Sequence, residues 1–94
     1  MKRFPYPNKR SEFVIYGRDS CPFCVEAKKY LKSKNKKFLY YNIEQLIKKK
    51  IIENYGEYQD KLKSRIGNYF YIPVIFHYGN FIGGFSELKK LKLK

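Results

Sequence analysis

Two sulfurs carry the chemistry open to this chain. Cys21 and Cys24 are its only cysteines, and they stand three apart in Ser20-Cys21-Pro22-Phe23-Cys24. A pair so spaced can exchange electrons with a disulfide: one thiolate attacks, and the second displaces the partner from the mixed disulfide. Pro22 marks a helix start, because a first-turn proline lacks only an N–H that had no partner there, and its φ already suits the helix. Cys21 then sits at the helix N-terminus, where unpaired N–H groups and the macrodipole favour negative charge. Cys-x-x-Cys thiols in that setting titrate at roughly 3.5–7.5, against about 8.5 for a free cysteine. The spacing thus predicts an exposed nucleophile, Cys21, and an inner resolving thiol, Cys24. Two other readings compete. A zinc half-site would need four ligands, and beyond the pair the chain offers one histidine, His77. A structural disulfide across so short a loop would remove little chain entropy. The strand, turn and helix signals around the pair favour the redox reading.

Those signals define the elements that must hold the sulfurs. Phe13-Val14-Ile15-Tyr16 is a near-continuous apolar run, as expected of a strand covered on both faces. Gly17-Arg18-Asp19-Ser20 turns into the first helix, whose apolar stripe is Phe23, Ala27, Tyr30 and Leu31. Asn35 is its predicted stop, since asparagine tolerates the left-handed conformation. Residues 37–43 give a second strand. From Glu44 to Arg65, with Ile66 closing the stripe, Ile47, Ile51, Tyr55, Tyr58 and Leu62 recur mostly every four residues. This predicts one amphipathic helix, interrupted near Gly56, with its lysines on a solvated face. Ile72 to Tyr78 is a strand opened by Pro73, Gly79-Asn80 a hairpin turn, and Phe81-Ile82 a short antiparallel strand. Gly83-Gly84 ends it, and Ser86 reads as the N-cap of a brief helix from Glu87 to about Leu93. The order βαβαββα predicts an α/β fold, a small mixed four-stranded sheet with flanking helices.

With 94 residues, the chain makes one domain with a modest core. Residues 1–11 read as a basic arm, flexible or loosely docked, containing Lys2, Arg3, Lys9 and Arg10; residues 12–94 form the domain proper. Hydrophobic residues at 44% and aromatics at 19% argue against disorder. No run approaches the roughly 20 apolar residues of a membrane span, and no apolar segment behind the arm would serve as a secretory signal. Two redox-type cysteines then point to a reducing, cytoplasmic setting. The formal charge of +13 attracts anions of every kind and does not choose among them, so nucleic acid is not the expected partner. His77, two positions along a strand from Ile75, is expected to be a partly buried structural histidine.

Three stretches, taken together, closely resemble a dithiol glutaredoxin of the thioredoxin superfamily: residues 14–24, then Ile72-Pro73, then Gly83-Gly84-Phe85-Ser86-Glu87-Leu88. The resemblance covers residues 12–92. It implies a thioredoxin-like fold, with Cys21 as nucleophile, Cys24 as resolving thiol, and glutathione as co-substrate with no metal. It further implies that Pro73 is cis and faces the cysteines, and that the Ile72 backbone pairs with the cysteinyl part of glutathione as an added strand would. Arg18 would meet a glutathione carboxylate. Gly84, Phe85, Ser86 and Glu87 would receive the γ-glutamyl end, with N–H groups at the start of the last helix holding its α-carboxylate. The sequence departs from the family pattern at Phe23 (usually tyrosine), Tyr71 (often threonine) and Glu87 (usually aspartate); Phe23 and Tyr71 still border the proposed groove. Phe70 occupies a position charged in some relatives, for which Lys61, Lys63 or Arg65 would substitute.

The implied activity is glutathione-dependent thiol–disulfide exchange by a monomer, acting on disulfide-containing or glutathionylated proteins. Three alternatives remain: a thioredoxin-like reductant served by a reductase, a non-enzymatic iron–sulfur carrier, which Pro22 disfavours, and a nucleic-acid binder.

Overall fold

A computed structural model describes residues 3–93; Lys2 of the arm lies outside the described residues. The elements run β1 (Phe13–Gly17), α1 (Pro22–Ser33), β2 (Phe38–Asn42), α2 (Ile43–Lys48), α3 (Tyr55–Ile66), β3 (Val74–His77), β4 (Asn80–Gly83) and α4 (Phe85–Lys90). They build one mixed sheet in the order β2-β1-β3-β4. β1 pairs in parallel with β2 and antiparallel with β3, and β3 pairs antiparallel with β4.

β1 lies inside the sheet, and every residue from Phe13 to Tyr16 is buried. Alternation along a strand sends its side chains to opposite faces. Val14 and Tyr16 join Val74 and Phe76 under α2 and α3, with Ile43, Leu46, Ile52, Tyr58, Leu62 and Ile66. Phe13 and Ile15 join Ile75 on the other face, against Ala27 and Leu31 of α1 and Leu88 of α4. The near-continuous apolar run predicted this two-sided burial.

α1 ends where the sequence placed its stop. Asn35 takes φ 56°, and the Lys36 N–H returns to the Leu31 carbonyl at 2.9 Å while that of Asn35 reaches Lys32 at 3.1 Å. This is the left-handed closure that satisfies the last helical carbonyls.

Three expectations about the elements change. The segment from Glu44 to Arg65 is two helices, broken over residues 49–54 and not near Gly56, which lies inside α3. Lys50 takes φ 58° after α2, and Asn54 opens α3 by accepting the Glu57 N–H at 2.9 Å. The Glu57 carboxylate in turn accepts the Glu53 N–H at 2.7 Å, so residues 53–57 tie off a helix start. Secondly, α4 is capped at Gly84, not Ser86, and runs from Phe85 to Lys90. Thirdly, the hairpin turn is Tyr78-Gly79, both with positive φ (50° and 84°), and Asn80 already belongs to β4; two such residues match the twist of the flanking strands.

The arm is docked rather than loose. Phe4 is buried in the core beneath α3, its ring parallel to that of Tyr16 at 5.9 Å. The Tyr16 hydroxyl donates to the Pro5 carbonyl, and the Arg65 guanidinium covers the Tyr6 ring at 4.8 Å. Asn8 closes the arm into β1 by accepting the N–H groups of Arg10 and Ser11, both at 2.9 Å.

Candidate functional site

β1 delivers the chain to the mouth of α1, and the two sulfurs take different places there. Cys21 is the N-cap of α1, with extended backbone angles (φ −88°, ψ 117°). Its Sγ accepts the Cys24 N–H at 3.3 Å and stands 3.9 Å from the Ile72 carbonyl oxygen. Here the side chain that caps the helix is also the prospective nucleophile. Cys21 is half-buried, whereas Cys24 is fully buried, and both are free thiols.

Burial pushes the Cys24 thiol up to about 12, with its hydrogen bond to Cys21 adding to the rise; the Arg18 backbone N–H and the Lys28 charge pull the other way. Cys24 therefore stays protonated at neutral pH, while Cys21 is reachable from solvent. That asymmetry is what an attacking and a resolving thiol require.

Gly17, the last residue of β1, makes this placement possible. A Cβ there would overlap Cys24 Sγ and lie 3.2 Å from Cys24 Cβ. The sequence showed Gly17 only as part of a turn, since no local signal reports how closely a later thiol approaches.

Beside Cys21 opens a groove of about 140 Å³, lined by Phe23, Tyr69, Tyr71, Ile72, Pro73, Gly84, Phe85, Ser86 and Glu87. All the residues expected at the glutathione groove meet here except Arg18. The Ile72–Pro73 peptide is cis. Phe23 and Tyr71 form exposed aromatic edges, with the Phe23 ring 6.3 Å from that of Phe85 and Tyr71 5.5 Å from Tyr69. Tyr69 is an added lining residue that the sequence did not single out; its hydroxyl would sit 2.8 Å from a Cβ at Gly84.

The far wall is held by Glu87. Its Oε1 accepts the Gly84 N–H at 2.8 Å, so the carboxylate folds back over the start of its own helix. Gly83 permits this: it has φ 121°, and a Cβ there would lie 2.6 Å from the Glu87 carboxylate. The longer acid at this position is thus used locally as a cap.

Arg18 does not line the groove. It is exposed on the β1–α1 turn, and its carbonyl accepts the Cys21 N–H at 3.2 Å. Among the suggested substitutes for a charge at Phe70, Lys61 pairs with Glu57 at 3.9 Å and Arg65 is committed to Tyr6. His77 lies at the opposite end of β3, paired with Phe13 and stacked on its ring at 4.7 Å. It is away from the sulfurs, as expected. Among the described residues no cluster of three or more His, Cys, Asp or Glu could hold a metal ion. A larger cavity, about 340 Å³, lies between the arm and α2, but neither cysteine lines it. Chemistry, not volume, selects the smaller groove.

Comparison with known proteins agrees with this geometry. The glutaredoxin family model matches residues 13–82. An uncharacterized glutaredoxin-like 8.6 kDa protein from the rubredoxin operon of Clostridium pasteurianum is 35% identical over 79 residues, covering 84% of this chain and 92% of that protein. A dithiolic glutaredoxin of Trypanosoma brucei brucei superposes with a TM-score of 0.69 at 26% identity, covering 86% of this chain and 76% of its own. The buckwheat glutaredoxin–glutathione complex shares the fold, with a TM-score of 0.69 at 18% identity over 87% of this chain and 68% of its own. With a thioredoxin-like sheet, a capped Cys-x-x-Cys pair and a family match across most of its length, the chain belongs to the glutaredoxin family, and its chemistry is that of a thiol oxidoreductase.

Proposed function

We propose that the protein is a glutathione-dependent thiol–disulfide oxidoreductase of the cytoplasm, acting as a monomer on protein disulfides and glutathione mixed disulfides. The observation that carries this reading is the groove beside the half-buried Cys21 sulfur, whose lining runs from the Ile72–Pro73 segment to the Glu87 cap. In this reading a glutathionyl group lies along Ile72 as an added strand, between the aromatic edges of Phe23 and Tyr71. Its γ-glutamyl end reaches Gly84, Phe85, Ser86 and Glu87, where the Glu87 carboxylate offers an acceptor to the α-ammonium. Arg18, exposed on the turn, supplies positive charge to a carboxylate from outside the groove. The net charge of +13 favours anionic glutathione in a salt-dependent way.

Cys21 thiolate attacks the substrate disulfide, forming a Cys21 mixed disulfide and releasing one thiolate. Cys24 then displaces the second partner to close the Cys21–Cys24 disulfide, or a second glutathione resolves the adduct. Two glutathiones return the dithiol and leave joined as one molecule of oxidised glutathione. The assay is hydroxyethyl disulfide reduction with glutathione, glutathione reductase and NADPH, beside reduction of a protein disulfide. Cys21→Ser should abolish both activities, while Cys24→Ser should keep deglutathionylation and lose protein-disulfide reduction. Loss of deglutathionylation in Cys24→Ser, or reduction only when thioredoxin reductase replaces glutathione, would overturn the proposal.

A further inference from the structure

Apart from the residues that line the groove lies a charged cluster near the sulfurs. Lys28 stands four residues after Cys24 on α1, a spacing that puts both on neighbouring turns of one helix face. Its ammonium lies 3.9 Å from the Tyr40 ring centroid and 4.0 Å from Asp19, while the Tyr40 hydroxyl donates to the same Asp19 oxygen at 3.0 Å. Three elements thus fix one lysine: the β1–α1 turn, α1 and β2. Tyr40 also flanks the gap left by Gly17, its Cε1 3.6 Å from the point a Cβ would occupy, and Cys24 Sγ fills that gap. The Tyr40 ring thus has the Lys28 ammonium over it and the buried thiol near its edge.

We propose that Lys28 is a positioning residue for the resolving step: clamped between Asp19 and the Tyr40 ring, its ammonium holds a positive charge beside Cys24 and favours loss of the thiol proton. This rests on the function proposed above. In the step, Cys24 gives its proton to solvent base, and the thiolate attacks Cys21 Sγ of the mixed disulfide. The Cys21–Cys24 bond forms as the bond to the partner sulfur breaks. The partner leaves as a thiolate and takes up a proton, reduced as the two cysteines are oxidised.

The need follows from burial, which holds Cys24 protonated. The groups that bear on it are Cys21 at the N-cap and Lys28 of α1, the Arg18 backbone, Tyr40 of β2 with its partner Asp19, and Tyr55 and Tyr58 of α3. Of these side chains only Lys28 acts to lower the thiol. The tyrosines are themselves held neutral by burial.

The test titrates Cys24 alone by thiolate absorbance in Cys21→Ser protein, with and without Lys28→Met or Lys28→Arg. At a fixed alkaline pH, Lys28→Met should lower the thiolate-to-thiol ratio about three- to tenfold, as for one partly screened charge nearby; Lys28→Arg should restore it. A Lys28→Met titration that overlays its parent would overturn the proposal, as would a shift that arginine fails to rescue, which would assign the effect to packing. Amide spectra of each variant establish that it is folded, and the arginine variant keeps the question open to refutation should the methionine one unfold. The readout needs no glutathione, so failure here and failure of the glutathione assay are separate results.

Discussion

Gly17→Ala is a substitution whose sign separates two physical accounts. Gly17 has no positive φ, so alanine meets no backbone objection. On chain entropy alone, alanine at a compatible glycine position stabilises by about 0.4–1 kcal/mol. The structure predicts the opposite, because the new methyl would overlap Cys24 Sγ and press on Cys24 Cβ, 3.2 Å away. Forcing a methyl into a filled core costs about 1–3 kcal/mol. The net expectation is destabilisation of about 1–2 kcal/mol, or a Tm lower by roughly 5–15 °C for a domain of this size. The cause is tested by repeating the substitution in Cys24→Ala protein, where the sulfur is gone. There most of the penalty should vanish, giving a coupling of about 1–2 kcal/mol between the two sites. Reversible thermal or urea melts of the four reduced proteins supply the cycle. A Gly17→Ala protein melting within about 2 °C of its parent, or above it, would refute the close-approach argument. So would a penalty that persists unchanged without the sulfur.

Other expectations concern the core and the titration of the resolving thiol. Phe4→Ala should cost about 3 kcal/mol in urea unfolding, the usual range for a buried phenylalanine, whereas a detached arm would give almost nothing. Tyr58→Phe should leave stability unchanged or raise it by up to about 1 kcal/mol, because the buried Tyr58 hydroxyl has no hydrogen-bond partner among the described residues and phenylalanine keeps the packing; a clear loss would reveal a partner. The Cys24 thiol is raised from 9.0 to about 12, so its contribution to reduced-state stability is present below about pH 9 and lost as pH rises toward 12. Between about pH 9 and 10, before tyrosine ionisation in the unfolded chain enters, the wild type should therefore lose stability faster than Cys24→Ala. Parallel slopes would place Cys24 in water.

The sulfur pair, the strand leading to it and the turn into α1 were legible because local spacing dictates them. The cis Ile72–Pro73 segment and the residues from Gly84 to Glu87 came from resemblance, and the structure brings them to one groove. What local pattern obscured has physical reasons. Ile47, Ile51, Tyr55 and Tyr58 keep a helical beat across the α2–α3 break, since both helices turn their apolar sides to the same face of the sheet. Asn54 and Glu57, the cap that betrays a new start, was the overlooked signal. At α4, serine is the better N-cap by type, yet Gly84 takes the place because Glu87 reaches back to its N–H. Docking of Phe4, the approach of Cys24 to Gly17, and the place of Tyr69 at the groove depend on residues far apart in the chain, and no window of sequence contains them.

The hydrogen bond from the Cys24 amide to Cys21 Sγ gives the molecule a built-in redox gauge. When that sulfur enters a disulfide it loses much of its strength as an acceptor, and the first turn of α1 loses its side-chain cap. The amide resonance of one backbone position would then move each time an adduct forms or clears. Turnover could be followed in a spectrum of the working protein, with no dye attached and no thiol consumed.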